Sequence, residues 1–365
     1  MSNPIINLTT PAQALAMMDE GAILIDVRES DEHALGLPIN AVPVPRAKLE
    51  QNAAEHIRNL DDKVLLICGS GRRSMMAAER LSQLGYRNLF NVEGGFQRWS
   101  HEKLPTRNTG LDLDFSDRYA RHLRLPQVGI DGQKKLESAK VVLIGAGGLG
   151  SPVAYYLAAA GVGNIFIIDD DVVDKSNLQR QILHTEARIG SPKVDSAEIA
   201  LNALNPRVKI QTLQARLNAE NVNNIIANAD VVIDGSDNFS TRYLLNDACV
   251  KSGKPLVYAA VQRFSGQVSV FDAGRHRGVE PCYRCLFPEA PNGEDAPNCA
   301  EAGVLGVLPG VMGLLQATET IKIILDIGKT LSGRLLQFDA LAMRFSEIRI
   351  PVDPECATCK LENRI

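Results

Sequence analysis

Short apolar runs alternate with polar, turn-rich stretches along the chain, and the alternation falls into two blocks. From Ala22 the pattern gives a strand (AILIDV), a loop, a polar helix and a second strand (KVLLIC). A glycine-rich loop, a helix from about Ser74 (SMMAAERLSQLG), a strand (NLFNV) and the segment GGFQRW complete a small α/β block that ends near Leu104. The stretch that opens PTRNTG has no apolar periodicity, which predicts a linker at 105–114 between a domain of residues 1–104 and one of residues 115–365. After an amphipathic opening (DRYARHLRLPQVGIDGQKKL) the second block runs strand (KVVLIG), glycine loop, helix (PVAYYLAAAG) and strand (NIFIIDD). Further helices (KVDSAEIALNALN, NAENVNNIIAN, TRYLLNDACVKSG) and strands (KIQTL, ADVVIDG, KPLVYAAV, QVSVFDA) follow. Such alternation predicts an α/β fold with a doubly wound, mostly parallel sheet and helices on both faces. The apolar run from Val304 to Thr318 holds Pro309 and several glycines and meets Glu319 before the roughly 20 residues a membrane span needs, so a buried helix is expected.

Composition narrows the function classes. A length of 365 residues favours two domains, and 45% apolar with 22% charged residues excludes disordered and fibrous classes. A net charge of -4, a pI near 5.9 and the lack of a Lys/Arg-rich block argue against nucleic acid as a partner. The N-terminus, MSNPIINLTTPAQALAMMDEG, lacks the basic and apolar regions of a signal peptide, so a cytoplasmic location without a membrane is expected. Seven cysteines in that setting read as thiols, metal ligands or catalytic groups rather than as a disulfide framework.

Cys68 ends an apolar strand and opens CGSGRRS, where backbone N–H groups and a helix N-terminus converge. With Arg72 and Arg73 nearby, the loop suits a thiolate or persulfide anion; the competing reading is a structural cysteine at a strand end. The loop resembles the C-x-x-G-x-R-S active loop of the rhodanese family at Cys68, Gly71, Arg73 and Ser74. The resemblance covers residues 8–102 and includes LIDVRESDEH (Asp26, Arg28, Glu32) and VEGGFQRW (Gly94, Gly95, Trp99). GLPINA departs from that family's GHIPGA-like turn at Leu37 and Asn40. The resemblance implies sulfur transfer through a persulfide on Cys68.

In the second block, Gly145, Gly147, Gly148 and Gly150 (GAGGLG) sit between a predicted strand and helix, where they permit a tight turn and close approach to phosphate. Asp169 ends the next strand and is suited to a ribose. These features alone fit a nicotinamide oxidoreductase as well as an ATP enzyme. Asp171, Asn177, Arg180, Gln181 and Lys193 follow, and two cations there suit a triphosphate whose leaving group gathers charge. Asp237 and Asn238 follow the strand VVIDG, and Asp237 is suited to holding Mg²⁺ against phosphates. Cys282, Cys285, Cys356 and Cys359 form two CxxC pairs, which predict a structural Cys₄ Zn²⁺ site; separate redox pairs are the alternative. Cys299 lies in a polar loop entering an apolar helix and is a candidate nucleophile, with a conformational loop residue as the alternative, whereas Cys249 in an apolar helix reads as core.

Residues 115–365 resemble the ThiF/MoeB/HesA branch of the ubiquitin-activating superfamily in GAGGLG, Asp169 and Asp171, SNLQRQ, Lys193, SDN (Asp237, Asn238), PCYRC, CAEAGVLG and the closing CxxC. That resemblance implies ribose binding by Asp169, phosphate binding by Asn177, Arg180 and Lys193, and a role for Asp237 in Mg²⁺ binding and adenylation. It also implies that Cys299 takes part in catalysis and that Arg121 reaches the ATP of a second protomer in a homodimer. The implied reaction is adenylation of the C-terminal glycine of a ubiquitin-like sulfur carrier ending in Gly-Gly. Cys68 then supplies sulfur drawn from a donor such as a cysteine desulfurase. Molybdopterin, thiamine, cysteine and tRNA-thiolation pathways all fit this chemistry. The rivals are the oxidoreductase and a non-catalytic module that recruits a ubiquitin-like protein.

Overall fold

A computed structural model describes residues 6–34, 36–107, 113–289 and 303–360. The chain divides into two compact units, Met1–Gly129 and Ile130–Ile365.

In the first unit the strands Asn7–Thr9 (β1), Ile23–Asp26 (β2), Val42–Pro43 (β3), Val64–Ile67 (β4) and Leu89–Val92 (β5) form a parallel sheet in the order β1-β5-β4-β2-β3. Its central strands β2 and β4 are buried on both faces. Val64, Leu66 and Cys68 pack on one side with Ala77, Ala78 and Leu81 of the helix Arg72–Gln83 (α1), while Leu65 and Ile67 pack on the other with Trp99. Each fully buried aliphatic side chain of this kind contributes about 1.5–3 kcal/mol. The helix after the cysteine loop starts at Arg72, two residues before the expected Ser74. The unit retains the chain past Leu104, because Thr106–Arg107 pairs antiparallel with Leu37–Pro38.

The second unit is built on a sheet of Lys140–Ile144 (β6), Asn164–Ile168 (β7), Lys209–Leu213 (β8), Val231–Asp234 (β9), Leu256–Gln262 (β10), Ser265–Phe271 (β11), Arg334–Asp339 (β12) and Arg344–Arg349 (β13). The order is β8-β7-β6-β9-β10-β11-β12-β13, parallel from β8 to β10 and antiparallel beyond. Leu256, Val232, Val142 and Phe166 form one row across the parallel part. The chain leaves β6 towards β7 on one side and returns to β9 on the other, so the order reverses at β6 and opens a crevice at the strand ends. Four helices frame it: Gly150–Ala160 (α2), Lys193–Leu204 (α3), Phe239–Ser252 (α4) and Leu308–Leu325 (α5). Helix α5 is apolar and long enough to be weighed as a membrane span, but it packs on α2, β10 and β11 as a core helix. It runs through Glu319, where the sequence pattern ended, because the buried carboxylate accepts the Leu331 N–H at 2.7 Å and pairs with Lys322 at 2.6 Å.

Candidate functional sites

At the reversal of strand order lies a cleft of about 370 Å³ lined by Gly145, Gly147, Gly148, Asp169, Asp171, Arg180, Lys193, Asp237 and Asn238, among others. Its glycine loop closes tightly on β9. Gly145 adopts φ +95°, and a Cβ there would sit 2.7 Å from the Gly235 carbonyl oxygen, while a Cβ on Gly150 would collide with the carbonyl of Gly145. Gly150 therefore stands behind the cleft and lets α2 approach the loop. Asp169 anchors the loop: its carboxylate accepts the N–H of Ala146 at 2.7 Å and that of Asp171 at 2.8 Å. Lys193 is buried along its stem and its Nζ donates to Asp171 Oδ2 at 2.7 Å, so the ammonium is held at the cleft wall. Arg180 lines the cleft and donates to Asn177 Oδ1 at 2.9 Å. Asn238 lines the cleft and also caps α4, accepting the Thr241 N–H at 2.9 Å. Asp237 is exposed, and its carboxylate accepts no hydrogen bond among the described residues.

The donor set fits ATP. Four cationic side chains, Arg180, Lys193, Arg216 and Arg242, and the loop face one cavity, and the buried Gln181 Oε1 on its wall has no partner among the described residues. A second cavity of about 510 Å³ shares Asp237, Arg242 and Val261 with the first and continues over β10, β11 and β12. Sequence reasoning missed what lies beneath both. Asp234 is fully buried, and its Oδ1 accepts the Ser236 N–H and hydroxyl at 2.9 and 2.5 Å. Arg242, also buried, lies 3.5 Å from Asp234 Oδ2 and flanks the rings of Phe239 and Tyr258. Burial pushes the Asp234 carboxyl upward against the opposing pull of Arg242 and Ser236. Arg121 is exposed on the short helix Ala120–Leu123 of the first unit, and Cys299 lies outside the described residues.

In the first unit Cys68 is fully buried. Its Sγ accepts the Gly71 N–H at 3.2 Å and lies 3.3 Å from the Ser74 hydroxyl. Burial disfavours the thiolate, but hydrogen bonds from Ser74, Ser70 and Gly71 outweigh it and hold the thiol below its ordinary value. Phe96 donates its N–H to the Cys68 carbonyl at 2.7 Å, an approach that requires Gly95, since a Cβ there would collide with that carbonyl. Arg73 is engaged by Glu32 at 2.5 and 2.8 Å and Arg72 is exposed, so amides and a hydroxyl are the sulfur's close partners.

The four CxxC cysteines converge. Their sulfurs lie within 4.8 Å of one another, with Cys282–Cys356 at 3.6 Å and Cys285–Cys359 at 3.4 Å. These separations exclude a disulfide and approach the ~3.8 Å edges of a tetrahedron with 2.3 Å Zn–S bonds. Arg284 and Thr358, one from each pair, both donate to Asp247 of α4 (2.8–2.9 and 3.1 Å), which locks the cluster to the core. Cys249 is buried in α4, and burial pushes its thiol far up, as suits a core residue.

The ThiF family profile matches residues 119–358 and the rhodanese-like domain profile matches residues 10–102. The chain belongs to the ThiF family. Its ThiF-family part is 48% identical, over 263 residues, to the sulfur carrier protein adenylyltransferase of Thermus thermophilus, a match covering 72% of this chain and 93% of that one. The adenylyltransferase and sulfurtransferase MOCS3 of Anopheles gambiae is 48% identical over 252 residues, covering 69% of this chain and 56% of that protein. Among solved structures, E. coli MccB with ATP superposes with a TM-score of 0.58 at 22% identity, over 68% of this chain and 76% of that one, a likeness of fold.

Proposed function

We propose that this ThiF-family chain adenylates the C-terminal glycine of a ubiquitin-like sulfur carrier and that Cys68 supplies the sulfur that turns it into a thiocarboxylate. The observation that carries this reading is the cleft at the strand-order reversal, where the glycine loop, Lys193, Arg180 and Asp237 face one cavity that shares Asp237, Arg242 and Val261 with a second. ATP enters the first cavity, with its ribose near Asp169 and its phosphates along the loop. The carrier's extended tail enters the second, beside Arg242. A carboxylate oxygen of the tail attacks the α-phosphorus, the bond to the bridging oxygen breaks and pyrophosphate leaves. Lys193 and Arg180 stabilise the charge that gathers on it. A Mg²⁺ ion held by Asp237 would neutralise phosphate charge.

AMP makes the acyl carbon electrophilic. The terminal sulfur of a Cys68 persulfide displaces it, forming an acyl disulfide, and a second thiol then cleaves the S–S bond, releasing the thiocarboxylate and leaving a disulfide with Cys68 that an external dithiol reduces. Cys299 is the candidate for that thiol. Zn²⁺ in the Cys₄ cluster is structural, and the functional assembly is a homodimer in the cytoplasm in which Arg121 serves the partner's ATP. The cysteine desulfurase remains the proposed sulfur source.

ATP–pyrophosphate exchange with a panel of Gly-Gly-ending carriers tests the reading. Exchange with one carrier, lost in Asp237→Ala, supports it and names the pathway. Reduction of a nicotinamide cofactor without exchange would support the oxidoreductase instead.

A further inference from the structure

A chain of buried polar groups runs behind the glycine loop, outside the residues that line the cleft. His184 is 5% exposed and both its ring nitrogens are engaged: Nε2 lies 2.9 Å from the Ala146 carbonyl oxygen and Nδ1 lies 2.9 Å from Ser196 Oγ. A carbonyl only accepts, so Nε2 carries the proton and Nδ1 accepts from the Ser196 hydroxyl. Ser196 is buried in the first turn of α3, three residues after Lys193. Arg188 donates to its carbonyl at 2.8 Å and to its hydroxyl at 3.4 Å, which leaves the serine proton for His184. The charged groups whose fields act on the ring are Lys193, Asp169 and Arg188. Burial foremost, with the two cations, keeps the imidazole in its neutral form against the opposing pull of the Ala146 carbonyl and Asp169.

Ala146 is thus held from both sides. Asp169 accepts its N–H and His184 donates to its C=O. In a planar trans peptide the C=O of one residue and the N–H of the next point in opposite directions. Drawing the Ala146 carbonyl back to His184 therefore turns the Gly147 N–H the other way, and Gly147 lines the cleft. We propose that His184 is a positioning residue for the nucleotide: it sets the Ala146–Gly147 peptide so that an amide faces the phosphates, and through Ser196 it ties the loop to the helix carrying Lys193. The inference rests on the ATP reading of the cleft.

The test is ATP binding by calorimetry together with exchange kinetics on the full chain, comparing wild type, His184→Leu and His184→Gln. The glutamine amide restores a donor towards Ala146, whereas leucine removes it. The expected result is a roughly tenfold weaker Kd and a matching rise in the KM for ATP in the leucine variant. Its kcat and its KM for the carrier change far less, and glutamine recovers most of the loss. If the leucine variant does not fold, Ser196→Ala reads the same link and raises the KM for ATP in the same selective way. Unchanged ATP binding in the leucine variant, or equal loss in both His184 variants, overturns the proposal. A wild-type chain that binds no ATP overturns the nucleotide reading itself, and this inference with it.

Discussion

The Cys68 loop and the Gly145–Gly150 loop use one backbone device for two kinds of anion. Both follow a parallel apolar strand and lead into a helix, so both gather N–H groups where negative charge is stabilised. In the first loop the anion belongs to the chain: the sulfur sits in its own ring of donors from Gly71 and Ser74. In the second the anion arrives from outside, so the loop must be free of side chains and its shape must be held from behind by Asp169 and His184. A loop that carries its own charge can be stabilised locally; one that receives charge depends on residues distant in sequence.

Substitutions can break this comparison. The largest effect is expected from Gly150→Ala, whose Cβ would collide with the Gly145 carbonyl. Relief moves α2 away from the loop, costing about 1–3 kcal/mol of stability and abolishing measurable ATP binding by calorimetry. Gly95→Ala strains the Cys68 carbonyl in the same manner, and should block persulfide formation while leaving ATP binding unchanged. Removing the Cys₄ cluster sharpens the contrast between the units. Wild-type protein should hold one zinc per chain by metal analysis. Cys356→Ser should lose it and lower the melting temperature of the second unit while the thiol chemistry of Cys68 persists.

The smallest effect is expected from Ser74→Ala. The Cys68 thiol is held below its ordinary value, so its thiolate persists to lower pH than that of a free cysteine. Loss of the Ser74 hydroxyl, which also donates to Asn91 Oδ1 at 2.6 Å, should move the inflection of Cys68 alkylation against pH to a higher value. An unshifted profile would mean that the amides alone hold the sulfur.

What the sequence discloses follows the same division. GAGGLG, CGSGRRS and the CxxC pairs are readable because their chemistry is set by local spacing, and the α/β alternation follows from apolar runs buried on both sheet faces. Strand β13 escaped notice because every residue of Arg344–Arg349 is exposed, leaving no buried face to detect. Helix α5 looked shorter than it is because Glu319 interrupts the apolar pattern, although its carboxylate is satisfied by partners brought in by the fold. Asp234, Arg242 and His184 could not be singled out for the same reason: a polar residue in a helix or at a strand end acquires its role only from what is packed against it. Asn177 and Gly150 stand out for the nucleotide from local spacing, and only the fold adds that Asn177 accepts from Arg180 and that Gly150 lets α2 meet the loop.

The measurement that most directly tests the two-loop account is the intact mass of a carrier protein after incubation with ATP and a sulfur donor, using wild type, Cys68→Ala and Asp237→Ala. The account predicts thiocarboxylate with wild type, adenylate without sulfur exchange with Cys68→Ala, and unaltered carrier with Asp237→Ala. Thiocarboxylate formed by the Cys68→Ala protein, or adenylate formed by the Asp237→Ala protein, would contradict it.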